Sequence, residues 1–376
     1  MGGWQVPLAH VALSERDIEA VVAAYRSGWL TMGPRVEALE AAFAAYTGAR
    51  HAIAVASGTA ALHLSCLAAG LGPGDEAIVP SLTFVASANA IAYTGATPVF
   101  ADIAGPTEPW MSARACEAVL TADTRAVMAV DYGGHAGELA ELAELCERRG
   151  LALLEDAAHA AGSRLDGRHL GRFGLAGAFS LFSNKNLVAG EGGLVITDDD
   201  AVAAQVRLLR SHGMTTTTWD RDRGHASAYD VVALGFNYRM DEPRAALATA
   251  RLERLDAENA RRAELDVRYR ALLADLGVTL ALAAAPGLAC AHHLFVIVLP
   301  EGADRDAVRA TLAARGIQSS VHYPPLHLVT AYAGRHARLP ATEAYAARAV
   351  TLPMFASMTD AQQDLVVAAL SSAVGG

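Results

Sequence analysis

The sequence predicts an α/β protein: a large domain built on a mostly parallel mixed sheet flanked by helices, plus a smaller α+β C-terminal domain. Three observations carry this. Short apolar runs recur between about residues 50 and 200, helical patterns lie between them, and a long Ala-, Leu-, Arg- and Glu-rich stretch then leads into a shorter C-terminal region. Strands this apolar must be buried on both faces, as in a parallel sheet covered by helices.

In chain order, residues 14–27 and 35–46 read as amphipathic helices joined by the turn-like 28–34. Strand patterns follow at 52–55, 77–80, 98–101, 127–130, 151–154, 178–181 and 194–197, with helical stretches at 60–69 and 85–93 among them. Residues 241 to about 276 predict one long helix, straight or kinked, whose charges form a solvated face. A strand at 293–298 and helices near 305–315 and 359–370 complete the chain. The expected division is a large domain over 1–240 and a connecting helix with a small domain over 241–376.

Composition excludes several function classes. The formal charge of −10 and the lack of a basic run argue against nucleic acid as a partner. Pro80 to Ala101 and Gly277 to Leu299 are apolar but interrupted by polar residues, proline or glycine, so no membrane span is expected. The start, Met1 to Pro7, has no basic segment leading into an apolar run, so no signal peptide is expected. Cys66, Cys116, Cys146 and Cys290 lie far apart without metal-ligand spacing. They read as reduced thiols of a cytoplasmic protein, with no metal site.

All but one of the 30 Lys and Arg residues are arginine; the exception is Lys185. Arginine stays protonated, whereas a lysine amine can lose its proton and form a Schiff base with a carbonyl. Other polar residues fall at expected strand ends, where open α/β sheets bind ligands. Ser57-Gly58-Thr59 sits where a strand hands over to a helix, and a helix N-terminus with hydroxyls can hold a phosphate or serve as an ordinary cap. Asp156 closes the strand at 151–154, where a buried carboxylate needs a cationic partner. Phe84, His159, Ser180, Asn237 and the proline-stiffened His322-Tyr323-Pro324-Pro325-Leu326-His327 lie in similar turns. A phosphate site, a buried acid, an aromatic ring and a unique lysine are the parts that a pyridoxal phosphate site requires.

The sequence resembles the DegT/DnrJ/StrS family of sugar aminotransferases, pyridoxal-phosphate enzymes of fold type I. The resemblance covers nearly the whole chain. It rests on Ser27 to Pro34, Ser57 to Leu62, Pro73-Gly74-Asp75-Glu76, Glu155 to Ala160, Lys185-Asn186-Leu187 with Gly190-Glu191-Gly192-Gly193, Asn237 to Met240, and His322 to His327. It implies that Lys185 is the catalytic Schiff-base lysine and Asp156 the partner of the pyridine nitrogen. It implies that His159 contacts the ring hydroxyl and that Phe84 stacks on the ring. Gly58, Thr59 and Ser180 would bind the phosphate, with Asn237 reaching it from the neighbouring subunit of a homodimer. Leu30, Thr31, His322 and Tyr323 would border the substrate. Leu181 stands where relatives often have Phe, and leaves the Ser180-to-Lys185 spacing intact.

The implied function is conversion of a keto nucleotide-sugar, preferably a dTDP-4-keto sugar, to the amino sugar with glutamate or glutamine as donor. Such a step belongs to deoxyaminosugar pathways of natural products, antibiotics among them. A keto-cyclitol acceptor and a non-catalytic regulatory protein on the same fold are the alternatives.

Overall fold

The computed structural model describes residues 3–216, 218–224, 228–334 and 338–374. Its centre is a seven-stranded sheet. We number the strands β1 (His51–Val55), β2 (Glu76–Pro80), β3 (Thr97–Ala101), β4 (Thr124–Val130), β5 (Ala152–Asp156), β6 (Ala176–Ser180) and β7 (Gly193–Thr197). Their order is β1-β7-β6-β5-β4-β2-β3. The β2–β3, β2–β4, β4–β5 and β5–β6 pairs are parallel, while β7 runs against both its neighbours. The sheet is therefore mixed, with one reversed strand.

Alternate residues of each strand enter different cores. Ala52, Ala54, Val127, Ala129 and Leu153 pack on one face; Ile53, Val55, Ala126, Met128 and Leu154 pack on the other. Burial of both faces explains why the strands read as continuous apolar runs.

The expected long helix is two helices, Glu242–Leu252 and Leu255–Leu273. They part at Glu253 and Arg254, and Arg254 has φ −114° and ψ 5°, outside the helical range. Arg254 turns instead to the buried Asp17, with Nη2 2.5 Å from Oδ2. A three-stranded sheet of 279–280, 295–298 and 349–352 forms a separate core with the helices Arg305–Ala314 and Asp360–Val374. Val6, near the start of the chain, packs in that core and bridges to Ile317.

Every strand except β7 carries its carboxyl end to the same edge. Val55, Pro80, Val130, Asp156 and Ser180 therefore finish side by side, and the loops after them enclose a cavity. Among the described residues no helix is long and apolar enough to cross a membrane.

Candidate active site at the strand ends

The cavity measures about 380 Å³ and takes walls from six chain segments. Its first end is the start of the helix Gly58–Ala68. Ser57 caps that helix, its Oγ accepting from the Ala60 N–H at 3.1 Å. The N–H groups of Gly58 and Thr59 belong to the first turn, where a helix has no acceptor of its own, so they are available to an anion. Gly58 is required here by close approach: a Cβ would lie 2.8 Å from the Cβ of Ser180. Ser180 Oγ accepts from the Phe182 N–H at 3.3 Å, leaving its proton free to donate beside this helix start.

Asp156 lies at the tip of β5, 6% exposed. Its Oδ2 accepts from Ser87 Oγ at 2.6 Å and its Oδ1 from the Ala158 N–H at 3.2 Å. Burial raises its pKa, against the pull of Ser87, Ala158 and the Lys185 charge. Lys185 follows β6 in a tight turn whose N–H donates to Phe182 O at 2.9 Å. Burial pushes the Lys185 amine down to about 8, with Asp156 partly opposing the shift. About one amine in ten is thus neutral at pH 7, far more than for a free lysine, and this is the form that proton transfer and imine formation use.

His159 is held between two partners. The Gly133 N–H donates to Nδ1 at 3.2 Å, which leaves the proton on Nε2, 3.1 Å from the Tyr323 hydroxyl. Burial, reinforced by Lys185, His293 and His322, keeps His159 well below the usual histidine range and therefore neutral. Phe84 lines the same cavity, 54% exposed, with its ring 5.8 Å from that of Tyr323. His322 completes this side, its Nδ1 2.8 Å from Thr351 Oγ1.

Gly58, Thr59, Phe84, Asp156, His159, Ser180, Lys185, His322 and Tyr323 thus share one cavity. Leu30, Thr31 and Asn237 do not line it. All three are exposed; Asn237 bridges to Ser211 and Leu30 O accepts from the Glu242 N–H.

A sequence model of one family matches residues 11–371. The chain belongs to the DegT/DnrJ/EryC1/StrS aminotransferase family. Its structure is similar to the aminotransferase TlmJ from Streptoalloteichus hindustanus, at 33% identity and a TM-score of 0.92 over 99% of both chains. It is also similar to DesV of S. venezuelae, solved in complex with a ketimine intermediate, at 37% identity and a TM-score of 0.87 over 95% of this chain and 93% of that one. A third is the PLP form of the putative sugar aminotransferase Spr1654 from Streptococcus pneumoniae, at 28% identity and a TM-score of 0.92 over 98% of each chain.

This family member is a pyridoxal-phosphate-dependent sugar aminotransferase of fold type I. The cavity fits that cofactor on its own evidence. Free N–H groups and a hydroxyl gather at one end and suit a phosphate, while a buried carboxylate elsewhere in the wall suits a protonated ring nitrogen. The single lysine lies in the same wall. No group of three or more potential metal ligands occurs among the described residues.

Sequence reasoning missed several residues of this aminotransferase site. Ser87 and Thr83 line or support the Asp156 wall, and Asn186 and His293 form a second layer behind His159. The His293 ring lies 4.3 Å from that of His159, and its Nδ1 is 2.9 Å from Asn186 Oδ1. Asn186, next to the unique lysine, carried a positional signal; Ser87 and His293 are distant in sequence from what they touch and carried none.

Proposed function

We propose that this aminotransferase is a homodimer that converts a keto nucleotide-sugar to the amino sugar, with glutamate or glutamine as donor. A dTDP-4-keto sugar is the preferred acceptor, in a pathway to deoxyaminosugars. The observation that carries this reading is the chain's only lysine, Lys185, in the same cavity wall as the buried Asp156.

Pyridoxal phosphate, when bound, supplies an electron sink conjugated to the reacting carbon. The chain's own residues do the rest. Gly58 and Thr59 N–H groups with the Ser180 hydroxyl hold the phosphate. Asp156 pairs with the ring nitrogen and keeps it protonated, His159 orients the ring hydroxyl, and Phe84 covers a ring face. Lys185 Nζ takes the proton from the donor carbon and returns one to the sugar carbon in the second half of the cycle. His322 and Tyr323 border the sugar.

Leu30, Thr31 and Asn237 reach the cavity of the second subunit on this reading. Exposed Tyr93, Val231, Val232 and Leu234, the last 96% exposed, supply apolar area for that contact. The same reading divides the chain into a cofactor-binding domain over 1–240 and a connecting helix with a small domain over 241–376. It places the enzyme in the cytoplasm, where its unpaired cysteines stay reduced.

The test is a half-reaction. Enzyme in the pyridoxamine form is mixed with keto nucleotide-sugars and keto-inositols, and return of the pyridoxal absorbance is scored. Response to a 4-keto nucleotide-sugar supports the reading. Response to keto-inositol alone assigns a cyclitol acceptor, and failure to bind cofactor assigns a regulatory protein.

A further inference from the structure

Three arginines of the described structure are buried: Arg210, Arg251 and Arg262. Two of them have carboxylate partners. Arg210 meets Glu40, and Arg251 meets Asp17 and Glu258. Arg262, 7% exposed, has no carboxylate within ion-pair distance among the described residues. Its hydrogen bond to Asn259 Oδ1 is long, at 3.4 Å, and that oxygen already accepts from Asn186 Nδ2 at 2.8 Å. Glu258, the nearby acid on the same helix, favours the Arg262 charge from a distance, but its hydrogen bonds go to Arg251 and Arg254. A buried cation without an anion is costly, and proteins keep one only where something compensates it.

The surroundings of Arg262 point to a ligand. With His10, Asn184, Lys185, Asn186 and His293 it lines a small chamber of about 10 Å³, and no Asp or Glu is among the described residues that line it. Asn184 and Lys185 line this chamber and the large cavity alike. Lys185 is therefore part of the partition between the two, and it is the side chain that a donor amine displaces. The space suits a carboxylate oxygen and is too small for a phosphoryl group. No arginine of the same chain lines the large cavity among the described residues.

We propose that Arg262 binds the carboxylate of the amino-acid donor, drawing it into the chamber beside Lys185 while the rest of the donor stays in the large cavity. The proposal rests on the reading that the donor is an amino acid and is independent of which keto sugar accepts the amine. Arginine suits the task because its fork matches a carboxylate and its charge survives burial.

The test uses Arg262→Gln and Arg262→Lys in the holoenzyme, with circular dichroism and melting temperature as checks on folding. Glutarate, a dicarboxylate with no amine, serves as the binding probe. It should protect the wild type and R262K against heating and leave R262Q unprotected. In the donor half-reaction, the apparent Kd for glutamate should rise roughly 30-fold in R262Q, the loss of one charge-assisted contact. In the acceptor half-reaction, R262Q in the pyridoxamine form should keep its rate within about threefold, as expected of a group that touches only the donor. Equal protection of wild type and R262Q by glutarate, or an unchanged glutamate Kd, overturns the proposal. So does a parallel loss in both half-reactions, which would mark Arg262 as structural with a water in the chamber. Glutarate and glutamate give their answers even if no keto sugar proves to be a substrate, so failure of the acceptor assignment is separately visible.

Discussion

Ser87 Oγ donates to Asp156 Oδ2 at 2.6 Å across 69 residues of sequence, with Ser87 fully buried and Asp156 nearly so. The bond connects the helix Val85–Tyr93 to the tip of β5 and lowers an acid that burial alone would raise further. Thr83 Oγ1 lies 2.9 Å from Ser87 Oγ and donates to it, since the Ser87 proton is committed to the carboxylate.

Removing that bond should weaken the cofactor's hold in a pH-dependent way. In Ser87→Ala the Asp156 carboxyl protonates more readily, and a protonated acid cannot pair with a cationic ring nitrogen. We expect a loss of roughly tenfold in cofactor affinity, larger at pH 6 than at pH 8, read by titrating pyridoxal phosphate into apo-enzyme. Asp156→Asn should cost on the order of a thousandfold or more in turnover at either pH, because Asn can never carry the charge. A loss in S87A that does not vary with pH would assign Ser87 to packing alone.

Lys185 offers a second pH test. Its amine titrates near 8 because of burial, against about 10.4 for a free lysine. Imine formation between apo-enzyme and pyridoxal phosphate should therefore rise with pH through about 8 and then level. Borohydride reduction should attach the cofactor to a single peptide, since the chain has no other lysine. Lys185→Ala and Lys185→Arg should give no labelled peptide and no multiple turnover. Labelling in either variant would remove Lys185 from its role.

How much of this was legible in the sequence follows from where each signal resides. β1, β4 and β5 could be read because both faces of the sheet are buried, which leaves runs such as Ile53-Ala54-Val55 and Leu153-Leu154 without polar interruption. The helices Leu139–Arg149 and Asp200–Leu209 were not singled out, although their apolar faces at Leu142, Leu145, Val202 and Val206 are buried. Lys185 stood out by composition and Asp156 by ending an apolar run. Arg262 could not stand out, because among so many arginines only burial and the lack of a carboxylate distinguish it. Asn237 does not line its own chain's cavity, so only the resemblance to a dimeric family, and no pattern in the residues, gives it a ligand.

Asn237 makes the dimer reading testable. If it completes the site of the second subunit, Lys185→Ala and Asn237→Asp each inactivate a homodimer, the second through charge repulsion with the phosphate. Co-expressed and purified by two tags, the mixed dimer should regain about half of the wild-type activity per dimer. One of its sites then combines an intact Lys185 with an intact Asn237. A mixed dimer with no activity beyond its parents would place Asn237 in its own chain's site.

Asp131 yields a prediction about stability. It is 1% exposed, and neither carboxylate oxygen has a hydrogen-bond partner among the described residues. Burial, with Glu155 and Asp156 nearby, raises its pKa well above the ordinary value near 3.8. A raised folded-state pKa means that the folded chain holds the proton more tightly than the unfolded chain. The contribution of Asp131 is thus fully present below about pH 4 and is lost as pH rises toward the folded-state value. Through that window the native acid forfeits stability at up to about 1.4 kcal/mol per pH unit. Asp131→Asn, which keeps the shape and cannot ionise, should escape this loss. Its melting temperature relative to wild type should therefore climb as pH rises above about 4.5, until the raised folded-state value is passed. A constant difference across that range would show that Asp131 has the same pKa folded and unfolded.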